Sequence, residues 1–391
     1  MSASLGPLAG VRVLEFAHVA AGPFATMVLA DLGADVVKVE GPDGDQMRNW
    51  PPIAVDDEGG EFSHNFASLN RNKRSVRADL KHPEDHARVR ALCLAADVVV
   101  ENYRPGVLGR LGLGFDDLAP DHRGLVFASI SGFGQDGPYA SLGAYDVVIQ
   151  AMSGMMSVTG TAAGELVKAG VPVGDFTAGL YAAVGVTSWL PRVRETGRSV
   201  RLDVPMLDSL LAISALQTSE YWGTGVDPTP RGTKHPRNAP YQVFAAADSS
   251  FVLAAGNDRL WLAVCEVVDP ELATDERFRH QSGRVLHQDV LEKLLSERFA
   301  EAPAEHWIAR FRERGVPSGP VNTFGDVLAD PAVRGSGLVQ SFDVPVAGAG
   351  LTTVFPIRTD DLDRRVRRSP PLLGQQTDEV VREWTAQEEA P

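Results

Sequence analysis

The sequence predicts an α/β protein with a Rossmann-like large domain and a smaller α+β domain. Short apolar runs alternate with helical segments in the N-terminal third, which is typical of βαβ units around a mostly parallel sheet. A polar stretch rich in Gly and Pro then precedes a second group of strands and helices. The 391 residues are enough for two such structural units.

Four strands are predicted in the first part, at Val11–Phe16, Val36–Glu40, Val98–Val100 and Leu125–Ile130, with helices at Pro23–Leu32 and Pro83–Ala96. Ligands of parallel sheets bind outside the carboxyl ends of the strands. The segments that follow the strands therefore form the predicted functional edge: Phe16–Pro23, Glu40–Asp45, Glu101–Gly106 and Ser131–Pro138.

The domain boundaries follow from the later pattern. Residues 1–222 are predicted to form the first part of the large domain, and residues 223–330 the small domain with its linkers. The small domain has strands at Tyr241–Ala245 and Phe251–Ala255, and helices at Leu260–Val268, Val285–Phe299 and Ala304–Arg314. Residues 331–391 are predicted to return and complete the large domain.

Composition narrows the class of protein. The chain is 44% hydrophobic and 23% charged, which is typical of a soluble globular protein, and its formal charge of -14 disfavours nucleic-acid binding. The N-terminus lacks a signal-peptide pattern and no apolar run suits a bilayer, so we expect a cytoplasmic protein without a membrane span. Cys93 and Cys265 lie in apolar helical stretches and are predicted to be buried free thiols, and no metal-binding cluster stands out.

Asp175 is the strongest candidate for chemistry. It lies in GVPVGDFTAG, directly before the apolar helix predicted at Leu180–Leu190. One interpretation is an N-cap whose carboxylate accepts backbone N–H groups. The other is a carboxylate nucleophile, held ionised by the same N–H groups, that attacks a thioester carbonyl. The GxGxxG, GxxxxGK[ST] and GxSxG motifs of nucleotide-binding and Ser-hydrolase sites are absent from the sequence.

Charged and aromatic residues mark the predicted functional edge. In ENYRPGVLGRLGL, Arg104 and Arg110 could bind phosphate or carboxylate, with Tyr103 stacking on a base, or they could be solvated loop residues. His18 either contacts a ligand or caps the next helix. The basic clusters Asn70–Arg74 and Arg364–Arg368 are predicted to be solvated.

Several segments together resemble the class III CoA-transferases. In the family's order they are FAHVAAGPFATMVLADLGADVVKVE, NRNKRSVRADLK, ENYRPGVLGRLGLG, SISGFGQDGPY, GAYDVVIQAMSGMMSVTG, PYQVFAAADSSFVLAAGN, GVPSGPVN and SPPLLGQQTDEV. The likeness covers nearly the whole chain. It implies an interlocked-ring homodimer and a catalytic aspartate at Asp175, which would form an anhydride and then an aspartyl-CoA thioester.

The resemblance also implies the binding residues. The substrates would be an acyl-CoA and a free carboxylic acid, with no permanently bound cofactor. CoA contacts fall on His18, Ala78, Lys81, Asn102, Tyr103 and Arg110, and Tyr145 lies near the reacting end.

Two positions bear on the substrate. The formyl-CoA transferases, which resemble this chain, have Gln where Ala20 stands, at a position that touches the reacting intermediates, and Arg where Gly41 stands. Their Gly-rich lid is also absent from Arg231–Pro240. The pattern is more similar to the transferases that act on succinyl-CoA and other dicarboxylates.

Two alternatives remain. α-Methylacyl-CoA racemases share the implied fold and use a His/Asp pair, but this chain has Tyr145 where their His lies, and Tyr is a poor base at neutral pH. A non-catalytic CoA-binding protein would keep the Arg and Asn contacts and use Asp175 as a cap.

Overall fold

The computed structural model describes residues 6–386. The chain divides into two compact units. The first contains the described residues of 1–155, 168–225 and 331–391, and the second contains 156–167 and 226–330. Residues 156–167, which the sequence-based boundaries place in the large domain, thus belong to the second unit.

The first unit is built on a six-stranded sheet in which every paired neighbour is parallel. The strands of this unit up to residue 225 are β1 (Arg12–Phe16), β2 (Asp35–Glu40), β3 (Ile53–Val55), β4 (Glu61–Ser63), β5 (Lys73–Arg77), β6 (Val98–Glu101), β7 (Val126–Ser131) and β8 (Val200–Pro205). Of these, β3 and β4 pair only with each other, outside the six-stranded sheet. Its helices are α1 (Ala21–Asp31), α2 (His64–Asn70), α3 (Pro83–Ala95), α4 (Val107–Arg110), α5 (Phe115–Leu118), α6 (Asp146–Met152), α7 (Val173–Thr196), α8 (Met206–Ile213) and α9 (Ala215–Thr224).

The strand order β5-β2-β1-β6-β7-β8 determines where a ligand can bind. The chain winds outward in one direction from β1 to β2 and β5, and in the other from β6 to β7 and β8. The segments that follow β1 and β6 therefore diverge at the carboxyl edge of the sheet and leave a crevice between them. His18 follows β1 and Asn102 follows β6, so both lie at this crevice.

Helices cover both faces of the sheet, which explains why its central strands are continuous apolar runs. One face packs against α1 and α7, with Val13, Val98 and Val100 in the same cluster as Leu29 and Val186. The other face packs against α3 and the C-terminal helix, and its cluster contains Leu14, Val99, Leu92 and Val380. The four predicted strands are confirmed, whereas the edge strands β5 and β8 were not predicted.

The second unit has a small antiparallel sheet covered by helices. Its strands are β9 (Tyr241–Ala245), β10 (Ser250–Ala254) and β11 (Ser318–Pro320), in the order β11-β10-β9. Its helices are α10 (Asp258–Val268), α11 (Gln281–Leu286), α12 (Gln288–Phe299), α13 (Ala304–Glu313) and α14 (Phe324–Ala329). Aromatic side chains, including Phe251, Trp261 and Phe299, fill its core. The helix predicted over Val285–Phe299 is interrupted at His287.

The last segment belongs to the first unit and contains α15 (Pro331–Gly335), β12 (Val339–Val344), β13 (Gly348–Thr353) and α16 (Thr377–Thr385). Arg74 of β5 attaches α16 through ion pairs of 3.1 Å to Glu379 and 2.6 Å to Glu383. Trp384 donates its indole N–H to Asp35 over 3.0 Å.

The prediction of a solvated basic cluster at Asn70–Arg74 was wrong. Arg71, Lys73 and Arg74 are at most 3% exposed, because each finds an acidic partner inside the unit. In the second cluster Arg365 and Arg368 are exposed as predicted. Arg364 is instead half-buried and donates to the carbonyl of Phe355 over 3.2 Å.

Both cysteines are buried free thiols, as predicted. Among the helices of residues 6–386, none is long and apolar enough to cross a membrane. The same residues contain no group of three or more His, Cys, Asp or Glu side chains that could hold a metal ion.

Helices α1 and α7 pack closely at Gly179. A Cβ atom at this position would lie 2.7 Å from the carbonyl oxygen of Ala21 and 3.0 Å from the ring of Phe24. We expect Gly179→Ala to lower the free energy of unfolding by about 2 kcal/mol, because the added methyl group must displace the backbone of α1. Urea unfolding measures this loss, and Gly335→Ala, whose Cβ would meet nothing within 4 Å, is the control. Equal stability of the two variants would contradict the close packing.

Candidate functional site

Asp175 is the third residue of α7, in the first turn of the helix. It is not the N-cap, which is Pro172, and no side chain caps the helix from that position. The interpretation of Asp175 as a cap was therefore wrong. Its carboxylate is half-buried and makes no hydrogen bond or ion pair with any of residues 6–386. Burial, and then the nearby charge of Asp146, raise the pKa of Asp175 to about 7.

The raised pKa differs from our prediction about the ionisation of Asp175. We expected backbone N–H groups to hold Asp175 ionised, but the burial of an unpaired carboxylate favours its neutral form instead. At neutral pH both forms are present. The ionised form keeps its lone pairs free of hydrogen bonds and can act as a nucleophile.

Asp146 takes over the capping role at α7. Its Oδ1 accepts the backbone N–H of Gly174 over 2.8 Å, and its Oδ2 accepts the side-chain amide of Gln150 over 2.6 Å. Gln150 in turn accepts the N–H of Ala169 over 2.8 Å, so the chain leading into α7 is fixed as well. Sequence reasoning gave Asp146 no role, although its place at the start of a helix was a signal.

The start of α7 faces the start of α1. Asp175 lies one turn before Gly179, on the side of α7 that contacts Ala21. The adjacent Phe176 packs against Phe24, with ring centroids 4.6 Å apart. Ala20 is the N-cap of α1 and packs in the same apolar cluster as these two rings. The structure therefore brings Ala20 close to the first turn of α7.

His18, Asn102 and Tyr103 form one hydrogen-bonded group across the crevice. The side chain of Asn102 bonds both the N–H and the carbonyl of His18, each over 2.9 Å. His18 Nε2 lies 3.2 Å from the Tyr103 hydroxyl. Burial, and then the charge of Lys38, lower the pKa of His18, so its ring is neutral at physiological pH. The backbone N–H of Tyr103 donates to the buried Glu101 over 2.8 Å.

A small hollow of about 210 Å³ lies beside this group. Asn102, Tyr103, Arg104 and Tyr145 are among the residues that line it. Arg104 is exposed, with a guanidinium nitrogen 3.6 Å from where a Cβ on Gly143 would stand, and Tyr145 is 80% exposed. A larger apolar hollow of about 1030 Å³, near Leu190 at the far end of α7, contains none of the predicted site residues.

The remaining predicted residues lie at the same sheet edge, without a contact that joins them to this group. Ala78 is buried and donates its N–H to the carbonyl of Glu40 at the end of β2. Lys81 and Arg110 are exposed and form no ion pair within residues 6–386. Together with Arg104 they supply positive charge at the functional edge of an acidic chain.

Comparison with known proteins agrees with the resemblance. The model of CoA-transferase family III matches residues 8–377. Human succinyl-CoA:glutarate CoA-transferase is 37% identical over 97% of this chain and 86% of its own length. Succinate–glutarate CoA-transferase of Agrobacterium fabrum is 37% identical over 96% of this chain and 95% of its own. Acetyl-CoA:oxalate CoA-transferase of Acetobacter aceti is 36% identical over 98% and 97%.

A solved structure supports the fold. A CAIB/BAIF family protein from Brucella suis superposes with a TM-score of 0.87 and 37% identity, over 97% of this chain and 99% of its own. The predicted α/β fold with a parallel central sheet is confirmed, as is the resemblance that the sequence motifs indicated. The chain belongs to CoA-transferase family III and is an enzyme of the CoA-transferase class.

Proposed function

We propose that this enzyme transfers CoA from an acyl-CoA thioester to a free carboxylic acid, with Asp175 as the covalent nucleophile. One observation carries the proposal: a half-buried carboxylate without a partner in residues 6–386 stands at the start of α7, with a pKa raised to about 7. Structural carboxylates of folded proteins are usually hydrogen-bonded or paired. A carboxylate whose pKa is strongly raised by burial and a neighbouring charge is typical of a catalytic group.

The proposed reaction conserves charge at every step. An oxygen of Asp175 attacks the thioester carbon and the C–S bond breaks, so CoA leaves as the thiolate and a mixed anhydride forms on Asp175. The thiolate then attacks Cγ of Asp175, which releases the donor acid and leaves an aspartyl-CoA thioester. The acceptor carboxylate attacks Cγ, CoA leaves again, and the thiolate takes the new acyl group from the second anhydride. No net proton, ATP or metal is consumed.

Helix α7 and Asp146 have opposite effects on negative charge at Asp175. The N-terminus of a helix stabilises negative charge, so it favours the ionised form of Asp175 and the thiolate that leaves beside it. Asp146 disfavours a second negative charge nearby. Once Asp175 is acylated its charge is lost, so formation of the anhydride relieves that repulsion.

The proposed CoA site lies at the crevice between β1 and β6. Asn102, Tyr103 and Tyr145 line the hollow, and His18 contacts Tyr103 beside it. Ala20 and Ala78 are the further CoA contacts in this proposal. Lys81, Arg104 and Arg110 are exposed cations that suit the phosphates of CoA. These three side chains provide local positive charge that attracts an anionic substrate, although the formal charge of the whole chain is -14.

We propose dicarboxylic acids as substrates, because relatives with 37% identity are named for succinyl-CoA and glutarate. A screen of acyl-CoAs against free acids by mass spectrometry tests this directly. The panel should include oxalate, since a relative named for acetyl-CoA and oxalate is 36% identical. Formyl-CoA is disfavoured as a substrate in this proposal, because the formyl-CoA transferases have Gln where Ala20 stands and Arg where Gly41 stands.

We also propose a homodimer of the interlocked type with a Rossmann-like large domain. The support is apolar surface that the isolated chain leaves uncovered: α9 contains no buried residue, and Trp222 on it is 79% exposed. Leu216 is 64% exposed and Val184 on α7 is 58% exposed. Large exposed apolar patches in a folded chain usually mark an interface.

We expect Asp175→Ala to reduce CoA transfer by at least about 10³-fold, because removal of a covalent nucleophile removes the reaction path itself. Steady-state turnover measures the loss, and calorimetric titration with CoA should give a dissociation constant close to that of the unsubstituted enzyme. In the presence of an acyl-CoA, hydroxylamine should attack Cγ of the activated Asp175 and displace its leaving group, so a hydroxamate should form at Asp175 of the unsubstituted enzyme and not in Asp175→Ala.

Near-normal turnover of Asp175→Ala would refute the covalent role. Solvent deuterium gives a separate control for the racemase alternative. A transferase without a carboxylate acceptor should incorporate no deuterium at the α position of the acyl group, whereas a racemase would incorporate it.

The raised pKa predicts a pH dependence. Only ionised Asp175 is a nucleophile, so kcat/KM should fall as the pH drops through about 7. Asp146→Asn removes the neighbouring charge and keeps an oxygen for the N–H of Gly174, so the acidic limb should move to lower pH. Because burial is the larger cause, the pKa should stay above its ordinary range. Asp121→Asn, at an exposed ion pair, is the control. An unchanged acidic limb of the kcat/KM profile in Asp146→Asn would contradict the proposed effect of the Asp146 charge on Asp175.

The dimer proposal predicts the molecular mass in solution. Native mass spectrometry should find twice the mass of the 41.9 kDa chain. Trp222→Glu should shift the population toward monomer or reduce its stability, because it places charge in the proposed interface. Leu286→Glu, at a side chain that is 78% exposed in the second unit, is the matched control. A monomeric unsubstituted enzyme would exclude the dimer.

A further inference from the structure

We infer that Asp45 is a positioning residue for CoA binding: it holds the turn at residues 17–20, which joins β1 to α1 and carries His18. It acts as part of a buried charge network formed by Glu15, Lys38, Asp45 and Lys73. The inference rests on the proposed CoA contact of His18. The sequence placed Asp45 at the predicted functional edge and Lys73 in a basic cluster, but it did not predict that they belong to one network.

All members of the buried charge network are 0% exposed. Lys38 lies 2.7 Å from Glu15 and 2.9 Å from Asp45, and Lys73 lies 2.9 Å from Glu15. Two ammonium groups thus balance two carboxylates. Buried ion pairs of this kind contribute little net stability compared with apolar packing, so their cost is most readily explained by a specific geometry that they impose.

The network binds the backbone of the turn and of the first turn of α1. Lys38 donates to the carbonyl of Ala17, and Lys73 donates to the carbonyl of Pro23 over 2.9 Å. The N–H of Val19 lies 3.3 and 3.2 Å from the two carboxylate oxygens of Asp45. The network therefore anchors the backbone on both sides of His18.

Val19 shows why the turn needs this anchor. Its φ angle is 64°, in the left-handed region that β-branched residues strongly disfavour. Strained residues of this kind persist only where surrounding contacts over-determine them, and they cluster at functional sites. The contact that acts directly on the N–H of Val19 is the carboxylate of Asp45.

The opposite side of the same turn faces the crevice. Asn102 binds the backbone of His18, and the His18 ring contacts Tyr103. If the turn relaxed toward a right-handed conformation at Val19, the His18 backbone would lose its alignment with Asn102. The proposed CoA surface would then be disordered without any change in the residues that contact CoA.

The test compares Asp45→Asn with the unsubstituted enzyme by calorimetric titration with CoA. We expect the dissociation constant to rise about tenfold, because the turn loses its charged anchor. Asp45→Glu is the second variant, since it keeps the charge that Lys38 requires but moves the carboxylate by one methylene. An unchanged constant in a folded variant would overturn the inference, whereas active Asp175→Ala would overturn the proposed function alone.

Rescue separates positioning from a general loss of stability. Val19→Gly removes the penalty of the left-handed conformation, so in the Asp45→Asn background it should restore most of the CoA affinity. Val19→Ala also shortens the side chain but keeps the Cβ, so it should not rescue. Equal effects of the two substitutions, or no rescue by Gly, would contradict the inference.

Discussion

The entry to α7 imposes the constraint on which the rest of the site depends. Asp146 accepts a hydrogen bond from the N–H of Gly174. Burial, and then the charge of Asp146, raise the pKa of Asp175. One carboxylate is thus hydrogen-bonded and structural, while the other is unpaired, with a pKa raised to about 7. A carboxyl with N–H partners would be more acidic but a weaker nucleophile, because its lone pairs would be occupied.

The packing around this entry brings α7 and α1 close together. Gly179 lets α7 approach the backbone of α1, and Phe176 packs on Phe24 beside it. At the N-terminal end of α1, the buried charge network fixes the turn that carries His18. The two halves of the proposed site, one for the reacting carbonyl and one for CoA, therefore meet at the start of a single helix.

Sequence pattern alone was sufficient for the central strands, because buried parallel strands are continuous apolar runs. It failed at β8, where charged side chains alternate with apolar ones, and at β5, which begins with two cations. Lys73 and Arg74 of β5 were predicted to be solvated, but they pair with acidic residues that lie far away in the sequence. Asp175 was located by its motif, but its lack of hydrogen bonds was not predictable, since Asp146 caps the helix from a distance of 28 residues. Long-range pairing of charges leaves no local signal.

The central claim is that an oxygen atom passes between the substrate acid and Asp175. In the proposed reaction the acceptor carboxylate attacks Cγ of Asp175, and its oxygen stays on the side chain when the thiolate takes the acyl group. The direct measurement is turnover with an acceptor acid labelled with ¹⁸O, followed by mass spectrometry of the peptide that contains Asp175. We expect heavy oxygen in that carboxylate after turnover, and an unlabelled Asp175 after proven turnover would contradict the covalent role.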